Sequence, residues 1–151
     1  MARRPVAVVA ALVLLVEAVG IVLINGILAT FVDKQDMSLA DLDPDAMVTG
    51  TWAMGGVMGL YLAACGVVLL LAGLRDRAPG RFARILLISC AITHGVLGAL
   101  TVGLIGWSAF AFMMVVLGLI VLTLVAYGNG RPPGEDEPTT EPAPTNGAAP
   151  A

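Results

Sequence analysis

Charge is what this chain has least of. Only 13% of its 151 residues are Asp, Glu, Lys or Arg, against about a quarter in a soluble domain, and those few cluster between apolar blocks. Histidine occurs once, at His94. A b-type haem usually takes two axial histidines, so a haem subunit lacks its ligands. The two cysteines, Cys65 and Cys90, form no CxxC or zinc spacing. Four-helix disulfide or quinone oxidoreductases need a paired-cysteine motif, and none is present. No Ser/His/Asp set falls at one depth along the apolar blocks. These gaps disfavour an enzyme and leave no metal site, cofactor or nucleic-acid partner to expect.

What fills the chain instead is hydrocarbon. Apolar residues make up 58% of it and the mean hydropathy is +0.93. Four blocks are each long enough to cross about 30 Å of lipid, which takes roughly 20 helical residues. In lipid the backbone must satisfy its own hydrogen bonds, so such blocks are helices. The expected fold is all-α: a polytopic four-transmembrane-helix bundle, up-down-up-down, in one domain over residues 1–127. Its helices are expected at about 5–32, 49–74, 82–103 and 107–127.

The first block begins behind Arg3 and Arg4, as a secretory signal does, with a loosely cleavage-like Val16-Glu17-Ala18. Its apolar run continues to Val32, too far for a signal core, so an uncleaved helix is expected. An acidic loop follows, in which Ser38 and Asp41 are placed to cap one helical turn and Pro44 to break it. Its Asp41-x-Asp43-x-Asp45 run resembles the start of an EF-hand loop but has Ala46 at the glycine position and Trp52 at the glutamate position. A solvated loop is the simpler reading. Gly103 to Gly106 forms a hairpin tip between the third and fourth helices. Residues 128–151, rich in Pro, Thr and acids with little apolar surface to bury, are expected to be a disordered cytoplasmic tail.

Basic residues set the orientation. Arg3, Arg4, Arg75, Arg77, Arg81, Arg84 and Arg131 fall on one side of an alternating topology, and only Lys34 on the other. Cytoplasmic flanks collect Lys and Arg, so both termini are expected in the cytoplasm. Trp52 and Trp107 then lie at the outer interface, and Phe82 and Tyr127 at the inner one. Arg75, Arg77, Arg81 and Arg84 are expected against anionic lipid headgroups, at roughly 1 kcal/mol per base near the surface.

Inside the apolar blocks the polar residues are few enough to take singly. Glu17 sits near mid-bilayer, where an acid costs roughly 2.5–3.5 kcal/mol on insertion scales. It should face protein or water, or be protonated. His94 lies at matching depth in the third helix, with Cys90, Gly98 and Thr101 on its face by helical spacing. A Glu17–His94 hydrogen bond or ion pair in the bundle interior is therefore expected, with Asn25 on the outer side of Glu17. This pair is either a proton or cation site or a plain interhelical bond. Met54, Met58, Cys65, Cys90 and His94 are soft ligands of the kind that suits Cu(I), yet Met and Cys are ordinary core fillers.

Glycine is the remaining signal. Gly55, Gly59, Gly66 and Gly73 fall on one side of the second helix, and Gly55-x-x-x-Gly59 has the spacing of a close helix approach. They predict a tight seam, within the bundle or in a dimer. Gly95 and Gly98 are expected to play the same part on the third helix.

Four helices with a lone membrane glutamate in the first resemble the small multidrug resistance transporters. In that family the first-helix acid exchanges protons for cationic drugs within a dimer, and the resemblance implies such a part for Glu17 alone. The Pro5-Val6-Ala7-Val8 opening, the Leu14-Leu15-Val16-Glu17-Ala18 centre and the Arg-, Ala- and Gly-rich style look like uncharacterised small integral membrane proteins of actinobacteria. That likeness implies a bacterial plasma membrane. The expected function is a non-enzymatic accessory or scaffold subunit, associating through glycine-rich helix faces with itself or with a larger membrane protein. The alternative is a small proton-coupled transporter or channel using Glu17 and His94.

Overall fold

The computed structural model describes residues 3–34 and 43–128. The Ser38–Asp41 cap and residues 129–151 lie outside them. The described residues form four helices: α1 (Arg3–Lys34), α2 (Pro44–Arg75), α3 (Arg81–Leu104) and α4 (Trp107–Gly128). Each is long and apolar enough to cross a membrane. At 1.5 Å per residue, the 32 residues of α1 and of α2 span about 48 Å, well beyond about 30 Å of hydrocarbon. Tilt or protrusion past the lipid accommodates the excess.

Helix α2 begins at Pro44, ahead of the start expected at about residue 49, while the turn that Pro44 was expected to break lies outside the described residues. In the first turn of α2 the missing N–H of Pro44 would have had no partner, and its φ is already helical. Asp43 caps the same turn: its Oδ1 accepts the Asp45 N–H at 3.0 Å, and its carbonyl accepts the Met47 N–H at 3.1 Å. At the other end α2 stops at Asp76, whose φ of 49° is left-handed. Aspartate tolerates that region better than most side chains. Asp76 is also held from outside, by Arg4 at 3.2 Å and by the Tyr127 hydroxyl at 3.4 Å. The Arg3 guanidinium stands 5.8 Å from the centre of the Tyr127 ring. The start of α1 and the ends of α2 and α4 are thus tied together.

Between α3 and α4 the chain turns on two residues. The Thr101 carbonyl accepts the N–H groups of both Ile105 and Gly106 at 2.9 Å. Gly106 has φ +118°, a conformation that a side chain would strain.

Packing follows side-chain size. The most extensive interface joins α1 to α2, antiparallel, and small residues make it possible. Gly55 lies on Asn25, Gly59 on Val22 and the Ala18 carbonyl, Gly66 on Leu15 and the Ala11 carbonyl, and Gly73 on Val8, Ala7 and the Arg4 carbonyl. The seam predicted for these four glycines therefore lies within the chain. Gly26, which the sequence reading passed over, takes the Trp52 ring against its Cα. Gly98 likewise lies against Met113 and Met114 of α4. Gly95 departs from expectation: a Cβ there would meet nothing within 4 Å, so it makes no close approach to a described residue.

The interface of α3 with α4 comes next in extent, then α1 with α4, and α2 with α3 is the slightest. No Cα of α1 lies within 8 Å of one in α3, so those helices face each other diagonally across the bundle. Leu14, Cys65, Leu69, Leu87, Cys90, Val116 and Ile120 fill the centre. Outward, every helix shows large apolar side chains, among them Val16, Leu60, Ile92 and Val121, the surface that hydrocarbon requires.

Candidate functional site

The diagonal gap between α1 and α3 is crossed by side chains. Glu17 projects from near the middle of α1, and His94 from α3. Glu17 Oε2 lies 3.1 Å from His94 Nε2. The imidazole is 2% exposed and the carboxyl side chain 11% exposed. The ring's other nitrogen, Nδ1, lies 2.9 Å from the Cys90 carbonyl oxygen one turn back. A carbonyl only accepts, so Nδ1 carries a hydrogen and donates it.

That assignment limits the remaining nitrogen. With Nδ1 protonated, a neutral ring presents Nε2 as an acceptor. Glu17 must then be a carboxylic acid donating to it. A charged ring presents Nε2–H, and Glu17 is then a carboxylate accepting from it. Both states hold one proton between the two heavy atoms, and only its position differs. The neutral arrangement avoids placing two charges in a low-dielectric interior.

Cys90 also belongs to the site through its side chain, with Sγ 3.6 Å from His94 Nδ1. Cys65 reaches the same level from α2: its Sγ lies 4.0 Å from the Leu86 carbonyl of α3. Both are free thiols and fully buried. Sequence spacing held no sign that Cys65 would stand at this level beside α3, because it belongs to a different helix. The available signal was its depth, which lies close to that of His94.

Asn25 and Thr101, expected near the pair, stand apart from it. The Asn25 amide donates to the Ile21 carbonyl at 2.9 Å, and the Thr101 hydroxyl to the Gly98 carbonyl at 2.7 Å. Each satisfies itself on its own helix. Arg75, Arg77, Arg81 and Arg84 are exposed at the end of the bundle that holds Asp76. Among the described residues no three His, Cys, Asp or Glu side chains are arranged to hold a metal ion.

A second polar bridge was not anticipated. The Ser89 hydroxyl donates to the Leu86 carbonyl at 2.8 Å. Its one proton is thereby committed, so the Tyr61 hydroxyl donates to Ser89 Oγ, at 2.7 Å. This bond ties α2 to α3, the neighbouring pair with the least backbone contact. Tyr61, a hydroxyl in the middle of an apolar span, was the sign that pointed to it.

The fold and site together define a class: an all-helical chain with four helices fit to span a membrane, cross-tied at its centre by a carboxyl–imidazole hydrogen bond. No family model, curated protein or solved structure matches it.

Proposed function

We propose that this protein is a non-enzymatic subunit of a bacterial plasma membrane that scaffolds or accompanies a larger membrane protein or further copies of itself. The observation that carries the reading is the closed centre. Glu17 turns onto His94, the ring is 2% exposed, and Cys90 beside it and Cys65 at the same level are equally sealed. Among the described residues every buried side-chain nitrogen and oxygen has a hydrogen-bond partner. A buried polar network satisfied in this way supports a role in holding the helices together.

Of the glycines first expected to recruit a partner, Gly55, Gly59, Gly66 and Gly73 are used within the chain against α1 and Gly98 against α4. Association then proceeds through the outward apolar faces. The termini and the Arg75–Arg84 turn lie in the cytoplasm in this reading, in an up-down-up-down topology, as the distribution of arginine favours.

Purification in mild detergent tests the proposal. A second protein, or a second copy, retained at fixed stoichiometry is the expected result, and E17Q should retain it too. A monomer with no companion would sink it. One observation favours a second reading, proton-coupled transport. The bridge holds a single proton with two resting places, and the carboxyl keeps 11% of its surface open. A pH-dependent flux in liposomes that vanishes in E17Q would establish that reading instead.

A further inference from the structure

At the arginine-rich end a short connection joins α2 to α3, and a cleft of about 230 Å³ lies there, lined by both helices and by Ala78, Pro79 and Gly80 of the connection. Its floor is apolar, made by Val68, Leu71 and Ala72 of α2 with Ala83 of α3 facing them. Its mouth is cationic, made by Arg75 and Arg77. The arrangement is continuous: Leu71 and Arg75 are one helical turn apart, so apolar lining passes directly into guanidinium.

The charge at the mouth is uncompensated by the rest of the described chain. Asp76 sits between the two arginines in sequence, yet the left-handed backbone there turns its carboxylate to Arg4 and Tyr127. Neither Arg75 nor Arg77 has an ion-pair partner among the described residues. An arginine fork binds phosphate oxygens in pairs. An apolar floor one turn deeper has no use for a free anion but suits an acyl chain.

We propose that this cleft is a binding site for an anionic phospholipid. One acyl chain lies along Val68, Leu71 and Ala72, and Arg75 and Arg77 hold the phosphate. Bilayer phospholipid reaches the cleft sideways, since the opening is between two helices. The proposal rests on the helices spanning a membrane and is independent of any scaffold partner.

Native mass spectrometry of the purified full chain tests it, with diacyl phosphatidylglycerol and phosphatidylcholine added in equal amounts. Wild-type protein should retain the anionic lipid preferentially. In R75Q/R77Q that preference should fall by roughly tenfold or more, as expected for two bases at a membrane surface. R75K/R77K should keep most of it, and K34Q should keep all of it. L71W, which fills the floor without touching charge, should also lose the lipid, and millimolar inorganic phosphate should not displace it. Equal retention of the two lipids, or an unchanged preference in R75Q/R77Q, overturns the proposal. So does displacement by phosphate with L71W behaving as wild type, which would mark a bare phosphate contact with no acyl subsite. Thermal melting of each variant in detergent, unchanged from wild type, ties any loss to the cleft.

Discussion

Glu17 and His94 share one proton, and that constraint makes single substitutions informative. Glu17→Gln supplies an amide N–H that donates to the neutral Nε2, so the bond survives with Nδ1 still donating to the Cys90 carbonyl. Glu17→Ala leaves Nε2 buried with no partner, and an unsatisfied buried group costs about 1–3 kcal/mol. The expected order of stability is wild type, then E17Q within about 1 kcal/mol, then E17A. Reversible unfolding in mixed micelles measures it. If E17A and E17Q prove equally stable, the assignment of the Nδ1 hydrogen is wrong or the bond contributes nothing. Cys90 enters this balance through its backbone, because it is the carbonyl that fixes the ring. Cys90→Ala should therefore preserve the hydrogen bond that His94 makes to Glu17.

The helices differ in how they are held, and substitutions at glycine separate the cases. At Gly66 an added Cβ falls 2.9 Å from Leu15 Cγ and 3.2 Å from the Ala11 carbonyl oxygen. Gly66→Ala should push α1 from α2 and destabilise by about 1–3 kcal/mol, the usual cost of overpacking. Gly95→Ala meets nothing within 4 Å and should be neutral or stabilising by up to about 1 kcal/mol through helix propensity. Opposite signs for the same substitution, in the same unfolding measurement, are the expected outcome. The start of α2 gives a local test. Asp43→Ala removes the acceptor for the Asp45 N–H, and losing such a cap costs about 1 kcal/mol. Amide exchange over the first turn of α2 should quicken about fivefold, by the same cost, with the rest of the helix unmoved.

Across the whole molecule, orientation and closure are both open to thiol labelling. Cys65 and Cys90 are fully buried, so the native chain should scarcely react with a membrane-impermeant maleimide. That silence gives a clean background for single introduced cysteines. K34C should label in intact cells and R77C only after lysis, as expected for termini in the cytoplasm. Labelling of both from outside would reverse or abolish that topology. The fold also leaves its helices unequally joined. Backbone contact is greatest for α1 with α2, while on the α2–α3 side, where it is slight, the Tyr61–Ser89 bond crosses between the helices. Tyr61→Phe should therefore loosen that side and the neighbouring cleft more than its single hydrogen bond suggests.

The number of helices and their rough limits followed from the sequence alone, because a bilayer demands about 20 apolar residues per crossing and leaves few other structures available. The same logic singled out Glu17 and His94, since each is a costly polar group at matching depth in an apolar run. Helical spacing also gathered the four glycines of α2 on one face. What periodicity left undecided was which surface each face would meet. That Gly55 to Gly73 close on α1, that Gly95 closes on nothing described, and that Cys65 reaches the Leu86 carbonyl of α3 are results of the bundle's arrangement in three dimensions. In lipid, hydrophobicity does not sort one apolar face from another. Shape and hydrogen bonding choose the neighbours, and both depend on where every helix stands. The start of α2 repeats the lesson locally: the Asp43 cap and Pro44 begin the helix ahead of its apolar block, before the start that hydropathy alone suggested.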